Sequence, residues 1–478
     1  MSVLKRNLVY NTALSVSQVL FPMVTFPYAS RVLGPPAMGA ISFADNFTTY
    51  FLIFSALGIP MYGVREIAKV KSDPQLQGKL FSELLAIHLL VSLFAIFLLL
   101  LLSYNIPRLN ADLALYHIGM SIILGSVFIS EWFFQGIEKF RYIAIRTVAI
   151  RIFTIMLLFL MVRGPQDKEL YYGLSLLGVL LSAFFNMYII SRTIRISFKG
   201  LSVRRHLRPL LVISSNGIVT TIYLVFDTII LGFLTNDITV GYYSTSMKIS
   251  KLALLVIGAI SAVLLPRLTI AFQNKDHDDA REILGKSISF ILFMSIPIAI
   301  GTYCLAPQII TLFAGQDYLP AIGSLQILCF VVIFVGMAHV FSQQLLLPLH
   351  QERKILYASV IGMAISLSFN FALIPLIGQK GAAISSLSTE IIVTILLYVH
   401  SRKFFKLAFP YIEVMQCLVT SLLFFLIRNA VLQLTASPIP IVLITVSLSV
   451  ASYLLIHIFV WKNKNVLFLR KILLSSRK

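Results

Sequence analysis

Residues 192–209 read RTIRISFKGLSVRRHLRP, and the rest of the chain is arranged around them. Arg192, Arg195, Lys199, Arg204, Arg205 and Arg208 fall here, with His206 and no acidic residue. Apolar runs of span length stand on both sides, about six before and about eight after, by the rule that ~20 apolar residues cross a bilayer. Six basic charges between two spans are costly to translocate, so the segment belongs on the cytoplasmic side. It divides the chain into two lobes of similar build, the layout of a transporter that rocks one half against the other.

Composition agrees. The 478 residues are 58% apolar and 12% charged, with a mean hydropathy of +0.91. A soluble chain carries about 25% charged residues. The net charge of +20 is not gathered into one patch of the kind that binds nucleic acid. Basic residues instead recur between apolar runs, as in a multi-pass membrane protein. Cys304, Cys329 and Cys417 lie in or beside apolar runs without CxxC spacing, so neither a disulfide framework nor a zinc site is indicated. Lys5 and Arg6 precede an apolar run too long for a signal peptide, with no small-residue cleavage site, which reads as a retained first span.

Spans are expected near 8–30, 39–62, 80–103, 113–136, 142–162, 170–191, 209–233, 241–264, 286–305, 321–346, 355–377, 382–400, 411–433 and 438–461. With the N-terminus inside, thirty of the 39 Lys and Arg fall in cytoplasmic segments and six on the opposite side. Arg151, Lys248 and Lys251 remain in or near spans. That alternation supports about fourteen helices with both termini cytoplasmic. The expected fold is an all-α polytopic membrane protein. Residues 1–199 form an N-terminal six-span lobe and residues 200–405 a pseudo-symmetric second lobe. Residues 406–478 add two spans and a basic tail. No loop is long enough for an extracytoplasmic catalytic domain.

Ala280 to Ser287 matches a relaxed phosphate-loop pattern, but charged helix formers lead straight into a span where that loop needs a strand and a glycine-rich turn. No metal or nucleophile motif is found, so no catalytic residue, metal or organic cofactor is expected. His88, His339 and His457 are isolated in apolar runs and read as packed residues. Arg65 and Arg146 lie near cytoplasmic span ends and read as topology anchors.

The first span carries Asn7, Asn11, Ser15 and Gln18 at steps of three and four, one helical face. The seventh repeats this with Asn216, Thr220, Tyr223 and Asp227. Two polar stripes in equivalent places suggest a shared cavity; ordinary helix–helix contact is the plainer alternative. Asp45, Arg151, Asp227, Lys248, Lys251 and Glu390 lie inside spans, where each costs at least ~2.5 kcal/mol facing lipid at mid-depth. Lys248 and Lys251 share a face and call for an anion or nearby acids. Structural pairing or snorkelling is the competing reading.

Pro27-Tyr28-x-x-Arg31-Val32-Leu33-Gly34-x4-Gly39, Phe43, Tyr50 and Gly58-x4-Gly63-x-Arg65-Glu66-Ile67-Ala68 closely resemble the opening of Wzx-type polysaccharide flippases. Asp227-x-Ile229-Ile230-Leu231-Gly232 and Gly241-Tyr242-Tyr243-Ser244 with Lys248 look like the start of that family's second lobe. Leu265-Pro266-Arg267-Leu268 and Ile374-Pro375-Leu376-Ile377-Gly378-x-x-Gly381-Ala382-Ala383 are similar to its later markers. The likeness covers essentially residues 1–405 and belongs to the wider multidrug/oligosaccharidyl-lipid/polysaccharide exporter group. The usual acidic residue after Gly34 is absent, and Pro36 stands in that region.

The resemblance implies an undecaprenyl-diphosphate-linked oligosaccharide, such as an O-antigen repeat unit, flipped to the outer leaflet of the bacterial inner membrane. Lys248, Lys251 and Arg151 are then candidates to meet the diphosphate. Asn11, Ser15, Gln18, Asn216, Thr220 and Tyr223 would line the sugar path. Asp45, Asp227 and Glu390 are candidates for coupling to an H+ or Na+ gradient, with mass action as the other energy source. The implied partners are the lipid-linked substrate, the bilayer, a polysaccharide polymerase and the chain-length machinery; no nucleic acid is implied. A multidrug or other small-molecule exporter of the same fold, and a membrane polymerase or acyltransferase, are the alternatives. The exporter would favour a net acidic cavity, and the enzyme a large outer loop or a paired acid and base.

Overall fold

A computed structural model gives the structure of the chain. It describes residues 3–274, 276–405, 409–463 and 465; the side chains of 3–9, 11–13, 15, 16, 18, 19, 215–225, 255–267 and 273 stand outside that description. Among the described residues all regular structure is helical, with no strand. Ten helices are long and apolar enough to cross a membrane, or eleven if one bent pair counts as a span, by length and composition among the described residues. Fourteen spans are compatible with this, because each expected stretch falls on helix.

Local sequence sets the breaks. Helix α1 (Val3–Ala56) is two helices joined at Gly34, whose φ of 73° favours glycine. Pro35 and Pro36 follow; lacking N–H groups, they suit the first turn of the second half. Gly58, also at positive φ, separates α1 from α2 (Ile59–Lys69). Asp73 caps α3 (Pro74–Asn105) by accepting the Gln75 and Leu76 N–H groups at 2.9 and 3.1 Å. Then come α4 (Pro107–Asn110), α5 (Leu113–Ile129), α6 (Glu131–Gly136), α7 (Phe140–Met161), α8 (Lys168–Thr193), α9 (Arg204–Leu234) and α10 (Asp237–Gln273). Beyond them lie α11 (His277–Phe313), α12 (Ile322–Leu328), α13 (Val331–His339), α14 (Glu352–Ile377), α15 (Gln379–Ser401), α16 (Tyr411–Leu434) and α17 (Pro438–Phe459). Ala280–Ser287 lies wholly inside α11, so it forms no phosphate-binding turn.

The chain separates into two compact units, Met1–Gly241 and Tyr242–Lys478. In the first, α5 packs on α8, α3 and α1. Its core includes Phe81, Phe133, Phe134 and Trp132, and the Trp132 ring stacks on Phe81 at 5.4 Å. In the second, α11 packs on α16, α13 and α17, and α14 on α15. There Tyr453 donates to the Phe293 carbonyl at 2.8 Å, and His457 packs on both rings, at 4.4 and 5.0 Å. Cys304, Cys329 and Cys417 are buried free thiols.

The basic segment is not a loose loop. Ser197 N–H donates to Ser82 Oγ at 3.0 Å, and Ser202 N–H to Glu83 Oε1 at 2.9 Å. Glu83 is fully buried and also meets Arg205 and His206 Nε2, the latter at 2.9 Å. His206 Nδ1 in turn lies 2.8 Å from the Tyr62 hydroxyl. A buried carboxylate thus ties the segment to α3, its charge balanced in place.

The opposite end of the first unit is latched as well. Arg108 donates to the Gly232 carbonyl at 2.9 Å and pairs with Asp237, while Lys168 pairs with Asp112. Burial alone would lower the Arg108 pKa; the hydrogen bond and charge of Asp237 outweigh it and hold the guanidinium above its ordinary value. A Cβ on Gly39 would overlap the Asp237 carbonyl, and one on Gly241 the Pro35 carbonyl. The motif glycines are needed because two turns meet there backbone to backbone.

Candidate functional site

The first unit contains a cavity of about 590 Å³ walled by α1, α6, α7 and α8. Its charged wall residues are Glu131, Arg146 and Arg151. The rest of the lining is mixed: neutral polar groups, among them Thr25, Gln135, Tyr171, Ser175 and Ser182, alternate with apolar ones such as Ile150, Leu158 and Leu174.

A break inside a span builds this site. Ser130, buried, sits between α5 and α6 in the left-handed region (φ 37°, ψ 41°). Such a conformation in a non-glycine residue costs about 1–3 kcal/mol and persists where its surroundings hold it. Ser130 Oγ donates to the Val127 carbonyl at 3.0 Å, and Asn186 Nδ2 on α8 donates to the Ile129 carbonyl freed by the break. The same Asn186, fully buried, accepts through Oδ1 from the Tyr142 hydroxyl at 2.9 Å and from Arg146 Nη1. Arg146 Nη2 then reaches Thr147 Oγ1 at 3.0 Å and Glu131 Oε2 at 3.5 Å. Helix break, asparagine, arginine and glutamate form one connected network.

Arg151 stands five residues further along α7. It donates to Ser17 Oγ at 3.2 Å, and its guanidinium lies 5.5 Å from the centre of the Phe21 ring. It is half-buried, and Ser17 is its one side-chain hydrogen-bond partner among the described residues. Two guanidiniums with one carboxylate give this wall a positive balance, and charge-assisted hydrogen bonds to phosphate are the strong ones.

The other sequence candidates scatter. Asp45 is exposed on α1, within electrostatic reach of Tyr172 and of the cavity residue Tyr171. Asp227 is buried on α9 near Tyr50. Lys248 and Lys251 are exposed on α10, and Glu390 is half-buried on α15. The side chains of Asn11, Ser15, Gln18, Asn216, Thr220 and Tyr223 lie outside the described residues. Arg146 is a correction to the sequence reading: it is buried in the cavity wall rather than anchoring a span end. Glu131 and Asn186 were not singled out by the sequence at all. The only signal was a polar Ser-Glu pair interrupting the apolar run of the fourth span.

No group of three or more His, Cys, Asp or Glu suited to a metal is found among the described residues. The second unit has a cavity of about 460 Å³ between α11, α16 and α17, lined by Met294, Pro297, Leu305, Phe424, Val446 and Leu454 among others and by no Lys, Arg, Asp or Glu.

Comparison with known proteins places the chain. A protein of Shigella dysenteriae described as "Putative O-antigen transporter" is 22% identical over 404 residues, covering 82% of this chain and 99% of the relative. One of Escherichia coli (strain K12) with the same description is 23% identical over 416 residues, covering 84% and 97%. Among solved structures, lipid II flippase MurJ in an inward closed conformation superposes with a TM-score of 0.75 at 16% identity, over 95% of this chain and 98% of that one. An inward-facing multidrug resistance transporter of the MATE family reaches 0.66 at 14% identity, over 81% and 94%. These structures share the fold. The sequence model of the family described as "Polysaccharide biosynthesis protein" matches residues 4–272, more than half of the chain, and the protein belongs to that family.

Proposed function

We propose that this protein is a flippase: it moves an undecaprenyl-diphosphate-linked oligosaccharide across the bacterial inner membrane by alternating access, for surface polysaccharide synthesis. The observation that carries the reading is the pair Arg146 and Arg151 in the wall of a polar cavity inside a membrane-spanning bundle. A diphosphate leaving water needs cations with donors to spare, and these two side chains supply them. The hydroxyl and amide groups of Thr25, Gln135, Ser175 and Ser182 suit sugar hydroxyls. The descriptions of the O-antigen transporter relatives support the substrate class.

The rest of the mechanism follows from the same chemistry. Both termini face the cytoplasm, and the basic segment with them. The halves 1–199 and 200–405 act as the two rocking lobes, with 406–478 as an addition. Lys248 and Lys251, on α10, are candidate phosphate ligands of the second unit. An H+ or Na+ gradient drives the cycle through Asp45, Asp227 or Glu390, carboxylates costly to hold in a span without a task. The product passes to a polysaccharide polymerase and its chain-length machinery. A drug exporter would suit an acidic cavity, and this one is basic.

The test is glycan display in cells lacking their own flippase, with membrane abundance measured in parallel. Arg151→Gln should cut display at least about tenfold at normal abundance, since a charge-assisted bond contributes ~1.5–3 kcal/mol. Lys248→Gln with Lys251→Gln should lower it as well. Unchanged display in all of these would remove the anion site and the reading with it.

A further inference from the structure

We propose that Glu131 is the resident counter-ion of Arg146 in the unloaded cavity, displaced when a diphosphate enters. The inference rests on the anion-binding reading of the cavity and adds the residue that sets how tightly the anion is held and how readily it leaves.

The argument begins with Arg146. Its side chain is 5% exposed, whereas that of Glu131 is 35% exposed. Two of its hydrogen-bond partners, Asn186 and Thr147, are neutral. Its Nε–H, buried, has no acceptor among the described residues. A guanidinium out of water needs an opposite charge and filled donors. Glu131 supplies the charge, but at 3.5 Å, the long limit of a hydrogen bond. The same carboxylate is the acidic group acting on Arg151. One glutamate therefore serves two guanidiniums and binds neither closely.

Placement makes the exchange feasible. The break at Ser130 turns the chain so that Glu131 begins α6 at the cavity edge, and Asn186 holds both the freed Ile129 carbonyl and Arg146. The arginine is thereby fixed, while the carboxylate has open volume beside it. A diphosphate brings more charge and more acceptors than a carboxylate, so it wins the cavity-facing edge of Arg146 from Glu131. Glu131 then stands beside a bound anion as a like charge and weakens the hold. A carrier must bind and also release, and like charge at the rim serves release.

The experiment uses the full chain in nanodiscs with inorganic pyrophosphate as the probe, read by titration calorimetry. Glu131→Gln should tighten pyrophosphate binding by up to about fivefold, the scale of a partly exposed ion pair. Arg146→Gln should weaken it at least about tenfold. Reconstituted with a lipid-linked diphosphate sugar, Glu131→Gln should lower the half-saturating substrate concentration and also the maximal rate. Glu131→Asp, which keeps the carboxylate, should stay near wild type in both readouts. If the glutamine variant does not fold, Glu131→Ala compared with Glu131→Asp decides the same question. Equal or weaker binding by the neutral variants, with the arginine variants still impaired, overturns the counter-ion role and leaves the anion site standing. Arginine variants that bind pyrophosphate like wild type overturn the anion site, and the counter-ion with it.

Discussion

The cavity of the first unit is walled by Glu131, Arg146 and Arg151, whereas that of the second meets its contents with Met294, Leu305, Phe424 and Leu454. They are of similar size, about 590 and 460 Å³, so volume does not distinguish them. The difference is what each does with the polar groups of its helices. In the second unit, the Tyr453 hydroxyl turns inward to the Phe293 carbonyl and Cys417, leaving an apolar wall. In the first, a broken helix needs Asn186 to satisfy a freed carbonyl, and that asparagine carries a buried arginine to the cavity. Charge inside a bundle thus follows from a backbone defect held by neighbouring helices.

The largest expected effect breaks the charged side of this contrast. Arg146→Met removes the guanidinium from Asn186, Thr147 and Glu131 together. It should lower stability by about 2–3 kcal/mol and cut glycan display more than about tenfold. Thermal unfolding in detergent and display per unit of membrane protein check the two halves. The reverse substitution tests the apolar side. Thr302→Asp places a carboxylate in the wall of the second cavity, with no cation among its lining residues. It should cost about 3 kcal/mol and appear as reduced abundance. If Thr302→Asp accumulates normally, the second cavity is wetter than its walls imply. The smallest effect sharpens the contrast. A Cβ on Gly301 would lie 3.8 Å from Phe424, an ordinary contact, so Gly301→Ala should raise stability by about 0.5–1 kcal/mol and leave display unchanged. A loss of display with that methyl group would mean the second cavity has a part in transport.

The sequence carried the helices and the family well, because both are written in local pattern. Apolar runs of fixed length, basic residues between them and glycines at turns need no tertiary knowledge. The R-V-L-G-x4-G motif was legible as family resemblance, and the structure adds the reason: Gly39 and Gly241 stand where two turns touch. The site was half legible. Arg151 was recognised because it sits deep in an apolar run. Arg146 reads as an anchor in the sequence because it lies only six residues into α7. What buries it comes from α6 and α8, 15 and 40 residues away in sequence, and no periodicity reports that. Glu83 escaped notice for the same reason. It begins as an acid at the head of a span, and only Ser202, Arg205 and His206, folded back from the basic segment, make it a buried fastener. The basic segment 192–209 is also more structured than its composition implies.

The central claim is that the arginine wall of the first unit carries the diphosphate. Arg151 tests it most directly, because among the described residues its half-buried guanidinium contacts Ser17 and Phe21 alone and can be changed with little cost to the fold. The measurement is translocation of a fluorescent undecaprenyl-diphosphate sugar in proteoliposomes by wild type, Arg151→Lys and Arg151→Gln, each shown to be folded by its melting temperature. Arg151→Lys should keep part of the rate, and Arg151→Gln should fall at least about tenfold. Equal rates for all three, at equal melting temperatures, would contradict the account.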